Sequence, residues 1–156
     1  MITLQFSASD DCESRAIRWL TFSWASQVDV VFADDVLVGA LPGRGVCLHS
    51  PPAGNYRRVE RYNVLVPSPP IYRFLRRQLG KPFDWTAMFG VPRRDWRKAN
   101  AWFSSELVAA AFEQAGAPLL SAPATRGLRR ITPRDLLLSP RLRPAPLSSA
   151  RIAVAA

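Results

Sequence analysis

The sequence predicts an α+β fold in which an antiparallel sheet packs against a helical layer. Three observations carry this expectation. Short β-branched and apolar segments separated by Gly, Pro and Asp turns occupy the first 66 residues. Helical periodicity takes over from Pro69, and its most apolar stretch, residues 100–116, comes late. The 156 residues, 48% of them apolar and 10% aromatic, suffice for one core, so no second domain is needed.

Ile2, Leu4 and Phe6 alternate with polar residues as a short strand, and Ser7 to Asp11 offer several caps for a helix or turn whose apolar face would hold Ile17, Leu20 and Trp24. Val28–Phe32 and Val36–Ala40 flank an Ala33-Asp34-Asp35 turn and read as a hairpin. Turns at Pro42–Gly45 and Pro51–Asn55 then lead into strands 46–49 and 56–66, giving a meander of about four antiparallel strands. Pro69 and Pro70 suit the first turn of a helix with Ile71, Phe74, Leu75 and Leu79 inward and Arg73, Arg76 and Arg77 outward, ending at Gly80. Residues 80–85 turn into a short helical piece, and 92–96 form a basic loop. Asn100 is positioned to cap the central helix, which starts near Ala101; Gly116 and Pro118 end it. Thr132-Pro133 caps a last short helix, Arg134 to Leu138. Residues 1–140 form the domain, and 141–156, rich in Pro, Ala and Ser, an arm that frays toward its end.

Formal charge is +9, from 21 Lys and Arg against 12 Asp and Glu, so the surface should attract an anionic partner. The arginines fall in small scattered groups, a pattern closer to a solvated face than to a nucleic-acid stripe, and nucleic-acid binding requires them to converge on one side. Two distant cysteines, Cys12 and Cys47, and one histidine, His49, do not assemble a zinc cluster, and no cofactor is implied. No stretch approaches the roughly 20 apolar residues of a membrane span, and the N-terminus lacks a basic n-region, so the expectation is a chain without a transmembrane segment, made in the cytoplasm.

Three patterns carry a resemblance. Ala101-Trp102-Phe103-Ser104-Ser105-Glu106-Leu107-Val108-Ala109 resembles the aromatic-Cys-Ser-Glu-Leu-Val helix start of the circularly permuted NlpC-type papain-like hydrolases, the YiiX-like and lecithin:retinol acyltransferase-like branch. Gly80-Lys81-Pro82-Phe83-Asp84-Trp85 is similar to that family's Gly-x-Pro-Tyr-Asp-Trp segment, and Trp24-Ala25-Ser26-Gln27-Val28 to its Trp-x-Ser-His-Val segment. The resemblance covers residues 2 to 140. It implies a permuted papain-like fold with a half-barrel sheet, Ser104 at the nucleophile position, Gln27 at the base position, and the third catalytic position near Gly39. It further implies that Phe83, Asp84, Trp85, Trp102, Ser105 and Glu106 wall or support a cleft for a cell-wall peptide or a lipid. Small proteins of this kind are often phage or prophage products, which implies a phage-particle setting.

All three catalytic roles are changed. A serine needs a base more than a cysteine does, because a thiol with pKa about 8.5 is a few per cent ionised unaided whereas a hydroxyl is not. Gln27 cannot serve as that base. The alternatives are His49, Asp29 on the pleat face of Gln27, or no base at all. Because losing the base costs about as much as losing the whole unit, a degenerate site with a binding or structural role is the expectation, and an active serine hydrolase the rival. A laboratory Cys→Ser exchange at position 104 is a further alternative, which Gln27 argues against, since one such exchange would leave the partner histidine in place.

Overall fold

A computed structural model describes residues 1–33, 36–50, 56–87, 100–121 and 130–146. The basic loop at 92–96, the turns at Asp34-Asp35 and 51–55, the Arg93–Lys98 group and the end of the arm lie outside the described residues. Among those described, six strands form one antiparallel sheet: β1 Ile2–Ser9, β2 Gln27–Ala33, β3 Val36–Leu41, β4 Gly45–His49, β5 Tyr56–Val64 and β6 Arg143–Ala145. Their order in the sheet is β4-β3-β2-β1-β5-β6. The helices are α1 Cys12–Thr21, α2 Ser68–Gln78, α3 Ser104–Gln114 and α4 Pro133–Leu137, with one 3-10 turn at Trp85–Ala87. The mixed α+β architecture is the one expected.

A run of four sequential antiparallel neighbours is present, but it is β1-β2-β3-β4 rather than β2 to β5. β5 does not continue past β4 but returns to the far side of β1, where Leu4 pairs Val30 on one edge and Tyr62 on the other. The first strand is apolar on one face and fully buried along most of its length, so it needs a partner on each edge to satisfy its backbone. The first residues beyond 140 then add β6 to the β5 edge, pairing Arg143 with Asn63.

Strand alternation divides the sheet into two faces. One carries Leu4, Phe6, Val28, Val30, Val38, Ala40 and Val46, which join Ile71, Leu75, Leu107, Val108 and Phe112 in the core beneath α2 and α3. The other carries Gln5, Asp29 and Arg61 in adjacent register. α1 covers part of this second face. Asp11 caps it, its carboxylate accepting from the Ser14 amide at 2.6 Å, and Ser14 and Ile17 are buried. Leu20, expected beside Ile17, is exposed, whereas Trp24, beyond the helix, packs partly buried against the core that holds Ile17, with the Arg58 guanidinium 4.2 Å above its ring.

In α2 Ile71, Leu75 and Gln78 are buried and Phe74 packs partly buried against the core, whereas Leu79, just past the last turn, is partly exposed. α4 has a full capping box between Thr132 and Asp135. Arg15 and Arg18 on α1 and Arg73, Arg76 and Arg77 on α2 lie on opposite sides of the sheet, so these cations do not converge on one face. Among the described residues no helix is long and apolar enough to cross a membrane.

Candidate functional site

The start of α3 is set by the segment that precedes it. Trp102 donates its amide to Pro82 O at 2.9 Å and accepts from the Asp84 amide at 3.0 Å, forming a parallel bridge with Phe83. That pairing holds Trp102 and the cap residue Phe103 extended, so the helix begins at Ser104 rather than near Ala101, and Asn100 does not cap it. The same segment is tied to the sheet. Val46 N donates to Lys81 O at 2.8 Å and Gly80 N to Val46 O at 2.9 Å. Gly45, at φ 68°, must be glycine, since a Cβ there would sit 2.3 Å from the Lys81 carbonyl.

The residues expected around the nucleophile position are therefore drawn together. Trp102 is buried, and its indole N–H donates to Gln78 Oε1 at 3.1 Å. Phe83 packs edge-on against Trp85 and tilted against Phe103, with Trp85 partly exposed. Asp84 is buried and accepts from both the amide and the hydroxyl of Thr86, which fixes the 3-10 turn. Ser105 donates to Ile131 O at 2.6 Å, and Glu106 is buried within the first turn. Ser104 is fully buried, and its hydroxyl has no hydrogen-bond partner among the described residues.

Gln27 lies on the polar sheet face. Its amide nitrogen donates to Asp29 Oδ1 at 2.7 Å and to Ala40 O at 3.2 Å. Its β2 neighbours Val28 and Val30 belong to the core shared with α3. No hydrogen bond joins Gln27 to Ser104.

Asp29 gathers instead what the sequence separated. Its side chain is fully buried, and Oδ1 lies 3.4 Å from His49 Nε2, a close electrostatic contact longer than a well-formed hydrogen bond. Gly39, at the expected third position, makes room for it: a Cβ there would stand 1.7 Å from Asp29 Oδ1 and 3.0 Å from Gln27 Nε2. Gln5 separates Asp29 from Arg61, whose Nε donates to Gln5 Oε1 at 2.9 Å. Gln27, Asp29 and His49 line a cavity of about 280 Å³ with Tyr56, Arg44 and residues of α1. Strand period two places Gln27 and Asp29 on one face from sequence alone; nothing local announces that β4 brings His49 to them.

Burial pushes the His49 imidazole down, but the Asp29 carboxylate more than offsets it, helped by the Ser50 backbone, and the pKa stands above the ordinary histidine value. Arg44 in the β3–β4 turn opposes this weakly, while the Tyr56 phenol, pushed up chiefly by burial, stays neutral. A raised folded-state pKa means that the contribution is complete below the unfolded value, about 6.5, and is lost as pH rises through the folded value. The stability difference between the unchanged protein and His49→Asn, measured by urea unfolding, should therefore shrink as pH rises above about 6.5. Cys47, two residues before His49, is pushed up by burial, with Arg44 lowering and Asp29 raising it, the reverse of an activated thiol.

No family model matches the sequence, and no curated protein matches it. Among solved structures the chain is similar to the crystal structure of the metalloprotein yiiX from Escherichia coli O157:H7, with a TM-score of 0.69 and 16% identity, covering 94% of this chain and 96% of that one. At that identity the likeness concerns the fold. The helix bearing Ser104 and the strand bearing Gln27 thus belong to a YiiX-like α+β fold matched along nearly its whole length.

Proposed function

We propose that this chain is a hydrolase-fold protein whose nucleophile site is degenerate and which acts by binding. The observation that carries the reading is the state of Ser104: fully buried, its hydroxyl without a partner among the described residues, while the Gln27 amide is committed to Asp29 and Ala40. A serine nucleophile needs a base within hydrogen-bond reach, and neither Gln27 nor His49 supplies one. The three sequence motifs support an ancestor in the permuted NlpC-type branch, with amide or ester bonds of cell-wall peptides or lipids as its substrates. On this reading Phe83, Asp84, Trp85, Trp102, Ser105 and Glu106 persist as scaffold for the start of α3, and a phage-particle or lysis-associated setting suits a binding role.

The neighbour yiiX is described as a metalloprotein. Among the described residues of this chain no three His, Cys, Asp or Glu side chains come together, and Asp29 with His49 gives two donors where a catalytic zinc takes three from the protein. That donor set does not fit a metal.

Assayed against cell-wall fragments and acyl esters, the unchanged protein and Ser104→Ala should show the same background rate. Turnover by the unchanged protein that Ser104→Ala abolishes would show the site to be active.

A further inference from the structure

We infer that the cavity on the polar sheet face is a binding site for a small molecule bearing a primary ammonium group, with Asp29 as its anchor. The inference rests on the binding role proposed above but not on the chemistry of Ser104. Asp29 is completely buried and lines the cavity; Oδ1 is engaged by Gln27 and approached by His49, whereas Oδ2 has no hydrogen-bond partner among the described residues. A buried carboxylate oxygen left without a donor is costly, and an ammonium N–H makes a charge-assisted bond to it, stronger than a neutral donor's.

The charge around the cavity agrees. Three lining side chains are carboxylates, Asp11, Glu13 and Asp29, against the Arg44 guanidinium and the His49 imidazole that faces Asp29. In a chain of formal charge +9 this is a local reversal of sign, and it favours a cation where the rest of the surface favours anions. Arg61, the other buried ion on this face, donates from its Nε to Gln5, which stands between it and Asp29 in the register. The carboxylate is held in place by construction: Gly39 leaves the space it occupies, and Gln27 fixes Oδ1. A volume of about 280 Å³ suits a single ring or a short chain rather than a long polymer.

The test uses two pairs of probes that differ by ammonium against hydroxyl: alaninamide with lactamide, and glucosamine with glucose. Isothermal titration of the full chain should show each amine binding at least about tenfold more tightly than its hydroxyl counterpart. The amines should also shift amide resonances at residues 26–29 and 49–50. Asp29→Asn should weaken amine binding by about tenfold or more. Because that variant alters a buried network, Glu13→Lys, on the exposed side of α1, provides a second reading that leaves the network intact and should weaken binding several-fold. Equal binding of amine and hydroxyl partners would make this a polyol or amide site and overturn the assignment. So would amine binding unchanged in both variants, or no binding by any probe up to about 10 mM. A protein that binds no amine yet shows no Ser104-dependent turnover loses this assignment alone, whereas Ser104-dependent turnover overturns the degenerate-site reading whatever the amines do.

Discussion

Gly39→Ala is expected to destabilise the protein by about 3 kcal/mol, a fall in Tm on the order of 10 °C for a chain of this size. The added methyl would occupy the place of Asp29 Oδ1, 1.7 Å from its centre, so the carboxylate must move. The side chain is fully buried between Gln27 and His49, so it moves only by giving up those contacts. Any displacement breaks the Gln27 bond and leaves a buried charge less well compensated, the combination that makes core lesions severe. Asp29→Ala should cost a similar amount for the complementary reason, since it strips Gln27 and His49 of their acceptor. The informative measurement is the double-mutant cycle. Once Asp29 is alanine, a methyl at position 39 meets no carboxylate, so the two costs should fall short of adding by on the order of 2 kcal/mol. Strict additivity in urea unfolding would mean that Gly39 does not serve Asp29.

Gly39 also shows what a linear reading can and cannot reach. From the sequence it is a glycine in a β-branched strand, and the resemblance marks it as a vacated third catalytic position. Its physical role appears only when β2 and β3 pair, because the carboxylate that needs the space is ten residues away on another strand. The same limit hid His49, whose placement beside Asp29 depends on β4 pairing with β3 through Leu37 and Cys47 with Gly39. It hid the course of β5 as well: the alternation within Tyr56–Val64 is legible, but its partner is chosen by the unpaired edge of β1, roughly sixty residues earlier in the register. Elements whose signals are local are legible in the sequence. Asp11 capping α1, the prolines opening α2, and Thr132 closing a capping box all depend on side chains within a few residues of the backbone they satisfy. The α3 boundary falls between these cases. Residues 107–112 carry the helical period unmistakably, yet the first turn is displaced to Ser104 by a strand-like bridge to Phe83 that periodicity does not encode.

Ser104→Ala and Ser105→Ala are expected to change stability in opposite directions although the residues are adjacent, equally buried and in the same helical turn. Ser105 donates to Ile131 O at 2.6 Å, linking α3 to the residue before the α4 cap, and neither atom has water to replace the other. Removing that hydroxyl leaves a buried carbonyl unsatisfied and a small void, and should cost about 2 kcal/mol. Ser104 brings a hydroxyl into the same dry environment, where it finds no partner among the described residues. Alanine keeps its volume nearly unchanged, has the better helix propensity, and removes an uncompensated polar group, so Ser104→Ala should stabilise by about 1 kcal/mol. A difference of about 3 kcal/mol between neighbouring Ser→Ala variants is well resolved by urea unfolding, and its sign at position 104 is diagnostic. A group retained at a cost to stability is ordinarily retained for function, whereas stabilisation without loss of any binding or turnover would mark Ser104 as a remnant of a thiol position. If Ser104→Ala instead destabilises as much as Ser105→Ala, the hydroxyl has a partner in the folded protein, and the case for a sealed, base-less site fails at its first step.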